Sequence, residues 1–424
     1  MTIRHSMHAI AAAAVCLFAL PAWAVNPALE TPTIAEAIGD ADDPAVWLHP
    51  TDASKSLVIT AIKNGGGRVY DLGASQVQVL DPFAVSSGNS RINNVDVQYG
   101  FRLNDGSRVD IAVGTDRGQD VFRVWKIDAA ASANPLVYIG SANPTRAFVD
   151  KPDGTANPVS AQNTAYGMAL WRDAAADRTY VLATQRSQAR IAQFELVAQA
   201  DGTVNTQWVR DWSFASMALG GSTVPLAGKQ FEGMVVDQQT GMLYAGQEDV
   251  GIWRVNLKTG AAEANPFVLS KTYDPSSPLQ ADIEGLTIYY GGKGSGYLLA
   301  SSQGDNSFGV FDRQGANAYL GSFAVTEAGG IDSVQESDGA DVTPVSLPGF
   351  AQGLFITQDG DNQAEGGTNF KYVSWGAVAG EMNLQVDTLS YDPRNPLPVP
   401  EPQTYALMLL GLAGVAFNAR RRRA

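Results

Sequence analysis

Cysteine and histidine are almost absent from this sequence of 424 residues, which contains one Cys and three His. Cys16, His5 and His8 fall within the first 24 residues, so His49 is the single imidazole in the rest of the chain. The rest of the chain therefore has no thiolate nucleophile for a cysteine phosphatase and no disulfide, and its single imidazole cannot supply the nucleophilic site of a histidine phosphatase. A zinc site is also disfavoured, because zinc is usually bound by Cys or His side chains. A Ser-His-Asp hydrolase would need His49, which ends a predicted strand in WLHP, and no G-x-S-x-G elbow exists. We interpret His49 as a strand-end packing or hydrogen-bonding residue.

Long apolar runs are also missing, and the two short ones lie at the ends of the chain. Residues 1–24 contain one Arg, an apolar stretch at 10–20 and the small-residue site Ala22, Trp23, Ala24. This order is typical of a secretory signal peptide, and we predict cleavage after Ala24. A buried N-terminal helix is the alternative.

The second apolar run is followed by a basic cluster. VPEP at 399–402 precedes the 13 residues of the run at 405–417 and four arginines at 420–423. A membrane-spanning helix needs roughly 20 residues, and the arginines would hold the end on the cytoplasmic side. The three parts in this order resemble the PEP-CTERM sorting signal of Gram-negative bacteria, which implies removal of the tail by a membrane protease. We therefore expect a secreted or outer-surface protein of a Gram-negative bacterium, with an ordinary tail anchor as the alternative.

Positive charge is scarce as well. The chain has 29 Lys plus Arg against 43 Asp plus Glu, and without the two ends 24 basic and 42 acidic side chains remain, a net charge of −18. Such a surface repels nucleic acid and anionic lipid. We expect no nucleic-acid partner, and contact with a membrane only through the C-terminal tail.

Sustained helical periodicity is absent from the region between the ends. With 43 Gly and 21 Pro, this region shows strand-like runs about every ten residues, which predicts an all-β fold. No Ser/Pro-rich linker interrupts it. We predict one domain at residues 25–395, between a signal peptide at 1–24 and a linker with sorting tail at 396–424.

A repeated hairpin organises this domain. Residues 230–254 predict two strands, at 234–236 and 242–245. Because the start of the first strand lies beside the end of the second in an antiparallel hairpin, Glu232 and Glu248 are predicted to share one rim. Five further hairpins repeat the arrangement, and the first members of the six units are residues 43, 96, 166, 232, 284 and 338, spaced 52 to 70 residues apart. This period predicts a six-bladed β-propeller whose hairpin ends surround one mouth, with a long loop near the mouth at 143–162.

The predicted rim is rich in carboxylates and also carries hydrogen-bond donors. Like charges at close range raise one another's pKa unless a cation intervenes, and oxygen-only ligands in loops suit calcium better than transition metals. The acidic candidates are Asp42, Asp43, Glu232, Glu248, Asp282 and Glu284, and the donors are Lys63, Arg117, Tyr166, Arg186 and Gln303. An anionic substrate with many oxygens, such as a phosphate compound, would bind between metal and donors. Any one of these acids alone is more often a turn residue or a solvated charge, so the hypothesis depends on six matched units.

Several longer motifs resemble one family. They are DDPAVWLHP at 42, NNVDVQYGF at 93, EGMVVDQQTGMLYAGQEDVGIW at 232, DIEGLTIYY at 282, GYLLASSQG at 296, SDGADVT at 337, GLFITQDGDN at 353 and NFKYVSW at 369. In this order, over about residues 30–390, they closely resemble the calcium-dependent β-propeller phytases of the 3-phytase type. The resemblance implies a six-bladed propeller that binds several Ca²⁺ ions and releases phosphate stepwise from phytate, myo-inositol hexakisphosphate.

The resemblance also implies roles for individual residues. The calcium-binding carboxylates at the cleavage site would be Asp42, Glu232, Glu248, Asp282 and Glu284, with Gln303 as a neighbouring ligand. The phosphate-binding residues would be Lys63, Arg117, Tyr166 and Arg186, with Asn362 on the rim, and further calcium positions would be Asp332 and Asp338. Gln247 stands where the family has a second glutamate, which is expected to weaken one calcium site. Arg186 replaces a lysine and would bind phosphate as a fork rather than a point charge.

We therefore predict a monomeric calcium-dependent phosphomonoesterase that hydrolyses phytate by metal-activated water, without a covalent phosphoenzyme. Its catalytic residues would be Glu232, Glu248, Asp282 and Glu284. Two alternatives remain. A calcium-dependent phosphoesterase with another substrate preference would share all these features, whereas a non-catalytic calcium-binding propeller would not need Lys63, Arg117 and Arg186 facing the carboxylates.

Overall fold

A computed structural model describes residues 22–83, 89–363 and 365–396. Residues 1–21 of the predicted signal peptide and residues 397–424, with the predicted sorting tail, lie outside the described residues. Within the described ranges, no helix is long and apolar enough to cross a bilayer.

The described strands form a six-bladed propeller in which each blade is a sheet of four or five strands, as the sequence predicts. The first two strands, β1 (Trp23–Val25) and β2 (Leu29–Glu30), join the last two blades. Blade 1 contains β3 (Pro44–Trp47), β4 (Leu57–Ala61), β5 (Gly67–Tyr70) and β6 (Gln76–Leu80). Blade 2 contains β7 (Ile92–Arg102), β8 (Arg108–Asp116), β9 (Val121–Ile127) and β10 (Leu136–Tyr138). Blade 3 contains β11 (Ala165–Asp173), β12 (Arg178–Gln185), β13 (Arg190–Ala198) and β14 (Val204–Ser213).

The second half of the ring follows a separate hairpin of β15 (Ser216–Leu219) and β16 (Ser222–Pro225). Blade 4 contains β17 (Phe231–Asp237), β18 (Met242–Gln247), β19 (Gly251–Asn256), β20 (Ala261–Ala262) and β21 (Val268–Leu269). Blade 5 contains β22 (Leu286–Tyr290), β23 (Gly296–Ser302), β24 (Ser307–Asp312) and β25 (Tyr319–Val325), with β1 at its edge. Blade 6 contains β26 (Ala340–Thr343), β27 (Leu354–Asp359) and β28 (Asn369–Ser374), with β2 at its edge. The single α-helix within the described ranges, α1 (Trp375–Met382), follows β28.

One inner strand of blade 1 and one of blade 5 are buried along their whole length. The sequences LVITA of β4 and LTIYY of β22 have every residue buried. Blades stack face to face, so both faces of such a strand are covered, and it is encoded by a continuous apolar run rather than by alternation.

The N-terminal strands close the ring. Leu29 and Glu30 pair antiparallel with β28, so the last blade is completed by the beginning of the domain. β1 pairs in parallel with β25, with Trp23 opposite Phe323. Cleavage after Ala24, which stays a prediction, would remove Trp23 and Ala24 from this edge and leave Val25 paired.

His49 lies at the end of a strand and makes local hydrogen bonds. Its Nδ1 accepts from the amides of Thr51 and Asp52 at 3.2 and 3.0 Å, and its Nε2 lies 2.9 Å from the carbonyl oxygen of Ala129. The ring therefore joins blades 1 and 2 far from the hairpin ends that the sequence placed around the mouth. Residues 143–162 contain no strand, in agreement with the predicted loop.

We call the end of the propeller where each innermost strand begins the mouth, and the opposite end the base. Three innermost strands contain a β-bulge at the mouth, where the pairing register shifts by one residue. The bulged residues are 93–94 in β7, 166–167 in β11 and 232–233 in β17. A bulge changes the direction of its side chains relative to strand alternation. It therefore redirects Asn93, Tyr166 and Glu232.

Glycines next to the mouth residues allow neighbouring blades to approach closely. A Cβ at Gly233 would lie 1.4 Å from the carbonyl oxygen of Glu284, and a Cβ at Gly167 would lie 1.8 Å from that of Glu232. The same approach occurs at Gly285 against the Asp338 carbonyl oxygen (2.6 Å) and at Gly339 against the Asp43 Cα (2.6 Å). Each glycine thus brings the mouth residue of one blade against that of the next.

Replacing Gly233 by Ala is expected to lower the free energy of unfolding by about 3 kcal/mol, because blades 4 and 5 must move apart to admit the methyl group. The matched control is Gly380→Ala in α1, where nothing lies within 4 Å of the added atom. The control should be neutral or stabilising by up to about 1 kcal/mol. Urea unfolding of both variants measures the difference, and equal midpoints would contradict the close approach.

Candidate functional site

Three glutamate carboxylates meet at the mouth. Glu232 lies in the bulge of β17, Glu248 directly follows β18, and Glu284 lies two residues before β22. One oxygen of each lies within 4.8 Å of the other two, and Glu232 is only 4% exposed. The hairpin brings Glu232 beside Glu248 as the sequence predicts, and the neighbouring blade contributes Glu284. We call these three residues the glutamate trio.

Each member of the trio accepts a hydrogen bond from a side-chain amide. The pairs are Asn93 Nδ2 with Glu232 Oε1 (2.8 Å), Gln230 Nε2 with Glu248 Oε1 (2.7 Å) and Gln303 Nε2 with Glu284 Oε2 (2.8 Å). Gln303 Nε2 also lies 2.8 Å from Asp338 Oδ1 and so links Asp338 to the trio. Sequence analysis did not assign Asn93, although it stands in the NNVD motif at the rim. Nor did it assign Gln230, which begins the predicted hairpin.

A second acidic group surrounds Lys63. Its Nζ lies 2.7 Å from Asp40 Oδ2, 3.0 Å from Asp42 Oδ2 and 3.1 Å from Asp338 Oδ2. Burial lowers the pKa of Lys63, but these three carboxylates together raise it above its ordinary value, so the ammonium stays charged. The structure therefore places Lys63 among the acids, and its predicted contact with phosphate stays a prediction.

Burial and mutual repulsion raise the pKa of the mouth acids. Burial comes first for Glu232 and Glu284, whose pKa values lie well above the usual range, and neighbouring carboxylates add to it. Burial and then the charge of Asp282 raise the pKa of Glu248 to about 7. Burial also raises the pKa of Asp42 to about 7, against the opposing charge of Lys63. Raised pKa values of this kind indicate that the positive charge near the mouth acids is too small to balance their negative charge.

The same oxygens fit a hard divalent cation. Asp42 is 1% exposed. Its Oδ2 lies 3.0 Å from Lys63 Nζ, whereas its Oδ1 is buried with no hydrogen-bond partner among the described residues. A buried carboxylate oxygen without a partner is costly unless it coordinates a metal. Calcium takes six to eight oxygens from carboxylates, amides and water. The trio, Asp42 and Asp338 offer such a set.

Arginines adjoin the trio. Arg117 Nη1 donates to Asn93 Oδ1 at 2.6 Å, and its guanidinium carbon lies 5.4 Å from the centre of the Tyr166 ring. Burial, followed by the charges of Glu232 and Glu248, raises the pKa of Tyr166, so its phenol keeps its proton. Arg186 follows β12, and its Nε is buried with no hydrogen-bond partner in the described part of the chain.

Arg91 belongs to the same group and was missed by sequence analysis. Its carbonyl oxygen accepts from the amide of Arg117 at 2.9 Å, while Ile92 pairs with Lys63, so Arg91 lies between two predicted phosphate-binding residues. Its Nη1 donates to Asn64 at 3.1 Å, and its Nε is buried without a partner among residues the structure describes. Burial and then the charge of Arg117 lower its pKa. The signal was its position directly before the INNVD stretch.

Two predicted residues lie in a separate cluster of blade 6. The fully buried ammonium of Lys371 contacts Asp332 and lies 3.1 Å from Asp359 Oδ2. Asn362 Nδ2 donates to Thr33 Oγ1 at 2.7 Å. The structure does not bring Asp332 and Asn362 against the trio, and their calcium and substrate roles stay predictions.

Asp43 and Asp282 lie beside the trio without joining it. Asp43 Oδ2 accepts from the amide of Val95 at 3.1 Å, which turns its carboxylate toward blade 2. Asp282 lies against Asp249, and burial and then the Asp249 charge raise the pKa of Asp282. Asp249 is paired with Lys229. The metal roles of Asp43 and Asp282 stay predictions.

Gln247 points away from the trio. Its fully buried amide donates to the carbonyl oxygen of Lys229 at 2.7 Å and accepts from Trp253 Nε1 at 2.9 Å. Both ends of the amide are therefore occupied within blade 4. The expected weakening of one calcium site by this residue stays a prediction.

Comparisons with known proteins agree with the motifs. The family model described as Phytase matches residues 3–395, and the model of the PEP-CTERM protein-sorting motif matches residues 398–423. A protein of Bacillus subtilis (strain 168) named 3-phytase is 36% identical over 363 residues, which cover 83% of this chain and 85% of that protein. The first match contains every mouth residue described above, and the second confirms the predicted sorting motif.

Proposed function

Because this chain belongs to the phytase family, we infer that it hydrolyses phytate, myo-inositol hexakisphosphate, and releases inorganic phosphate. It is thus a phosphoric monoester hydrolase. The observation that carries this function is the meeting of the glutamate trio with a group of arginines at one mouth. Carboxylates suit divalent cations, and guanidinium groups bind phosphate oxygens in bidentate pairs.

Calcium is the proposed cofactor. The residues that would hold it are Asp42, Glu232, Glu248, Glu284 and Asp338, with Asp282 and Gln303 at the edge and Asp43 and Asp332 at further positions. The buried Oδ1 of Asp42, which has no hydrogen-bond partner among the described residues, supports this assignment. When bound, calcium supplies positive charge to the phosphoryl oxygens and lowers the pKa of water.

The side chains of the protein bind and orient the substrate. Arg117 and Arg186 would bind phosphate oxygens, and the protonated phenol of Tyr166 can donate a hydrogen bond to them. Asn93 connects the two halves of the site, because it donates to Glu232 and accepts from Arg117.

Phosphate release tests this function directly. Phytate and a simple aryl phosphate are compared with Ca²⁺ and after chelation, and the remaining inositol phosphates are resolved. We expect calcium-dependent release from phytate with stepwise accumulation of lower inositol phosphates. Preference for the aryl phosphate would indicate a phosphoesterase of other specificity, and calcium binding without release from either would indicate a non-catalytic propeller.

The enzyme is proposed to act outside the cell or on its outer surface. The PEP-CTERM motif supports sorting to the outside, and the predicted signal peptide would begin export. A Gram-negative source and a monomeric state belong to the same proposal, and sedimentation of the mature enzyme tests the latter.

Replacing Arg91 by Gln is expected to lower kcat/KM for phytate by about 10- to 100-fold, because one hydrogen bond to a charged group contributes about 1.5 to 3 kcal/mol. The loss should fall mainly on KM, since Arg91 touches the arginines rather than the trio. Arg91→Lys should recover part of it.

The control for Arg91 is Arg178→Gln. Arg178 pairs with Glu195 in blade 3 and is 57% exposed. This variant should keep the kinetic constants of the unmodified enzyme. An unchanged KM in Arg91→Gln would remove Arg91 from the phosphate-binding group.

A further inference from the structure

After α1, the chain crosses the base of the propeller. Residues 383–396, which we call the strap, first contact blade 5. The amide of Asp387 donates to Tyr289 Oη at 2.9 Å, and Asp387 Oδ2 accepts from the amide of Gly292 at 2.9 Å. Both partners lie where β22 ends, at the base. The strap therefore begins on the side of the molecule opposite the glutamate trio.

The strap then reaches the other side of the ring. The Tyr391 ring stacks on Tyr290 of blade 5, with ring centres 4.0 Å apart and planes inclined by 3°. Three residues later, Arg394 donates to the carbonyl oxygen of Leu48 in blade 1 and to Asp110 in blade 2. These contacts hold the strap at both ends.

Between these contacts the strap covers the base end of the central channel. A cavity of about 110 Å³ lies in the channel, bordered by the innermost strands of five blades. Tyr391 and Pro393 of the strap complete its lining. The chain thus leaves the domain at the base, near Arg394.

The length of the remaining chain limits where the sorting tail can go. The eight residues 397–404 separate the strap from the apolar run that begins at 405. Fully extended, they span at most about 29 Å. Arg394 contacts Asp110, the third residue of β8, so the strand rises by about 20 Å from there to Asp116 at the mouth, and two further strand spacings to the outer edge add about 10 Å. The tail could therefore reach the mouth only with the tether fully extended, whereas the base lies beside the point where the chain leaves the domain.

We propose that the strap orients the enzyme on the membrane. While the sorting tail is inserted in the bilayer, the base faces the lipid and the mouth faces away from it. The strap thereby keeps the mouth open to soluble phytate before the tail is removed. The net charge of −18 in the domain gives no competing attraction of the mouth to anionic lipid.

Quenching of single labels tests this orientation on residues 25–424, which lack the signal peptide, keep the sorting tail and contain no cysteine. Ser54→Cys at the base or Gln363→Cys at the mouth, both exposed, carries a fluorophore. Only protein that floats with phosphatidylcholine vesicles containing a headgroup quencher is measured. We expect at least threefold stronger quenching at position 54. Stronger quenching at position 363 would overturn the proposal. Equal quenching at the two positions would also overturn it, whether the quenching is strong or absent.

A variant in which the strap is released from the base tests whether the strap sets the orientation. The double variant Tyr391→Ser with Arg394→Ser lengthens the free tether to the 17 residues 388–404, about 60 Å when extended. The ratio of quenching between positions 54 and 363 should then fall toward one. Arg178→Ser, at the base but outside the strap, should keep the ratio. A folded double variant that also keeps it would show that the strap does not set the orientation, and the proposal would fail.

Discussion

Replacing Glu232 by Gln is expected to lower kcat for phytate by about 1000-fold, whereas Lys63→Ala lowers it by about 10-fold. Glu232 is the most buried member of the trio, and its oxygens face Glu248 and Glu284 within 4.8 Å. An amide keeps the shape but removes the charge that a cation needs, and losing one preorganised electrostatic group commonly lowers kcat by about 10²- to 10³-fold. Steady-state kinetics with phytate measures both variants.

Lys63 should matter less because it is one of several cations near the mouth and is already paired with three carboxylates. Glu195→Gln is the matched control, since Glu195 pairs with Arg178 away from the mouth. It should leave kcat unchanged. Equal and small losses in Glu232→Gln and Lys63→Ala would reject the division of roles between them.

Rigorous chelation of calcium is expected to abolish phytate hydrolysis and to leave a protein whose stability falls as the pH rises. The pKa values of Asp42 and Glu248 are about 7 in the folded protein, against about 4 in an unfolded chain. The folded protein therefore binds more protons, so stability is fully present below about pH 4 and is lost as the pH rises to 7. Between pH 5 and pH 8 the midpoint of thermal unfolding should drop by about 5 °C or more.

Added Ca²⁺ should restore activity and raise the midpoint most at pH 8, because protons and calcium compete for the same oxygens. Calorimetry at pH 5 and pH 8, with chelator and with calcium, measures this. Glu248→Gln should weaken the pH dependence of the chelated protein, since it removes one of the titrating groups. Full activity after chelation, or equal midpoints at both pH values, would count against calcium at the trio.

The positions of Glu232 and Glu248 follow from the local sequence of one hairpin. Strand alternation and a turn at 237–241 place both residues at one rim, because antiparallel pairing is fixed by the chain between them. The repeat of this hairpin along the chain likewise gives the number of blades. The motifs around these residues then identify the family.

Side-chain direction at the mouth was less predictable. Asn93 and Tyr166 face the site because of bulges, and Gln247 turns into blade 4, where Trp253 and the Lys229 carbonyl hold it. A bulge adds one residue on one strand only. The innermost strands β11 and β17 are buried on both faces, so their sequences show no alternation that a bulge could interrupt, and its effect appears only when the paired strands are known.

The sequence by itself determined the all-β class, the six hairpins, the C-terminal sorting motif and the acidic character of the rim, since each depends on residues near one another in the chain. Tertiary structure alone decided that Lys63 lies among the acids, that Arg91 joins the arginines and that Asp332 belongs to another cluster. It also decided that the strap closes the base. Those outcomes depend on the distance between neighbouring blades. Contacts at glycines set this distance, and the two residues of such a contact, for example Gly233 and Glu284, are more than fifty residues apart in the chain.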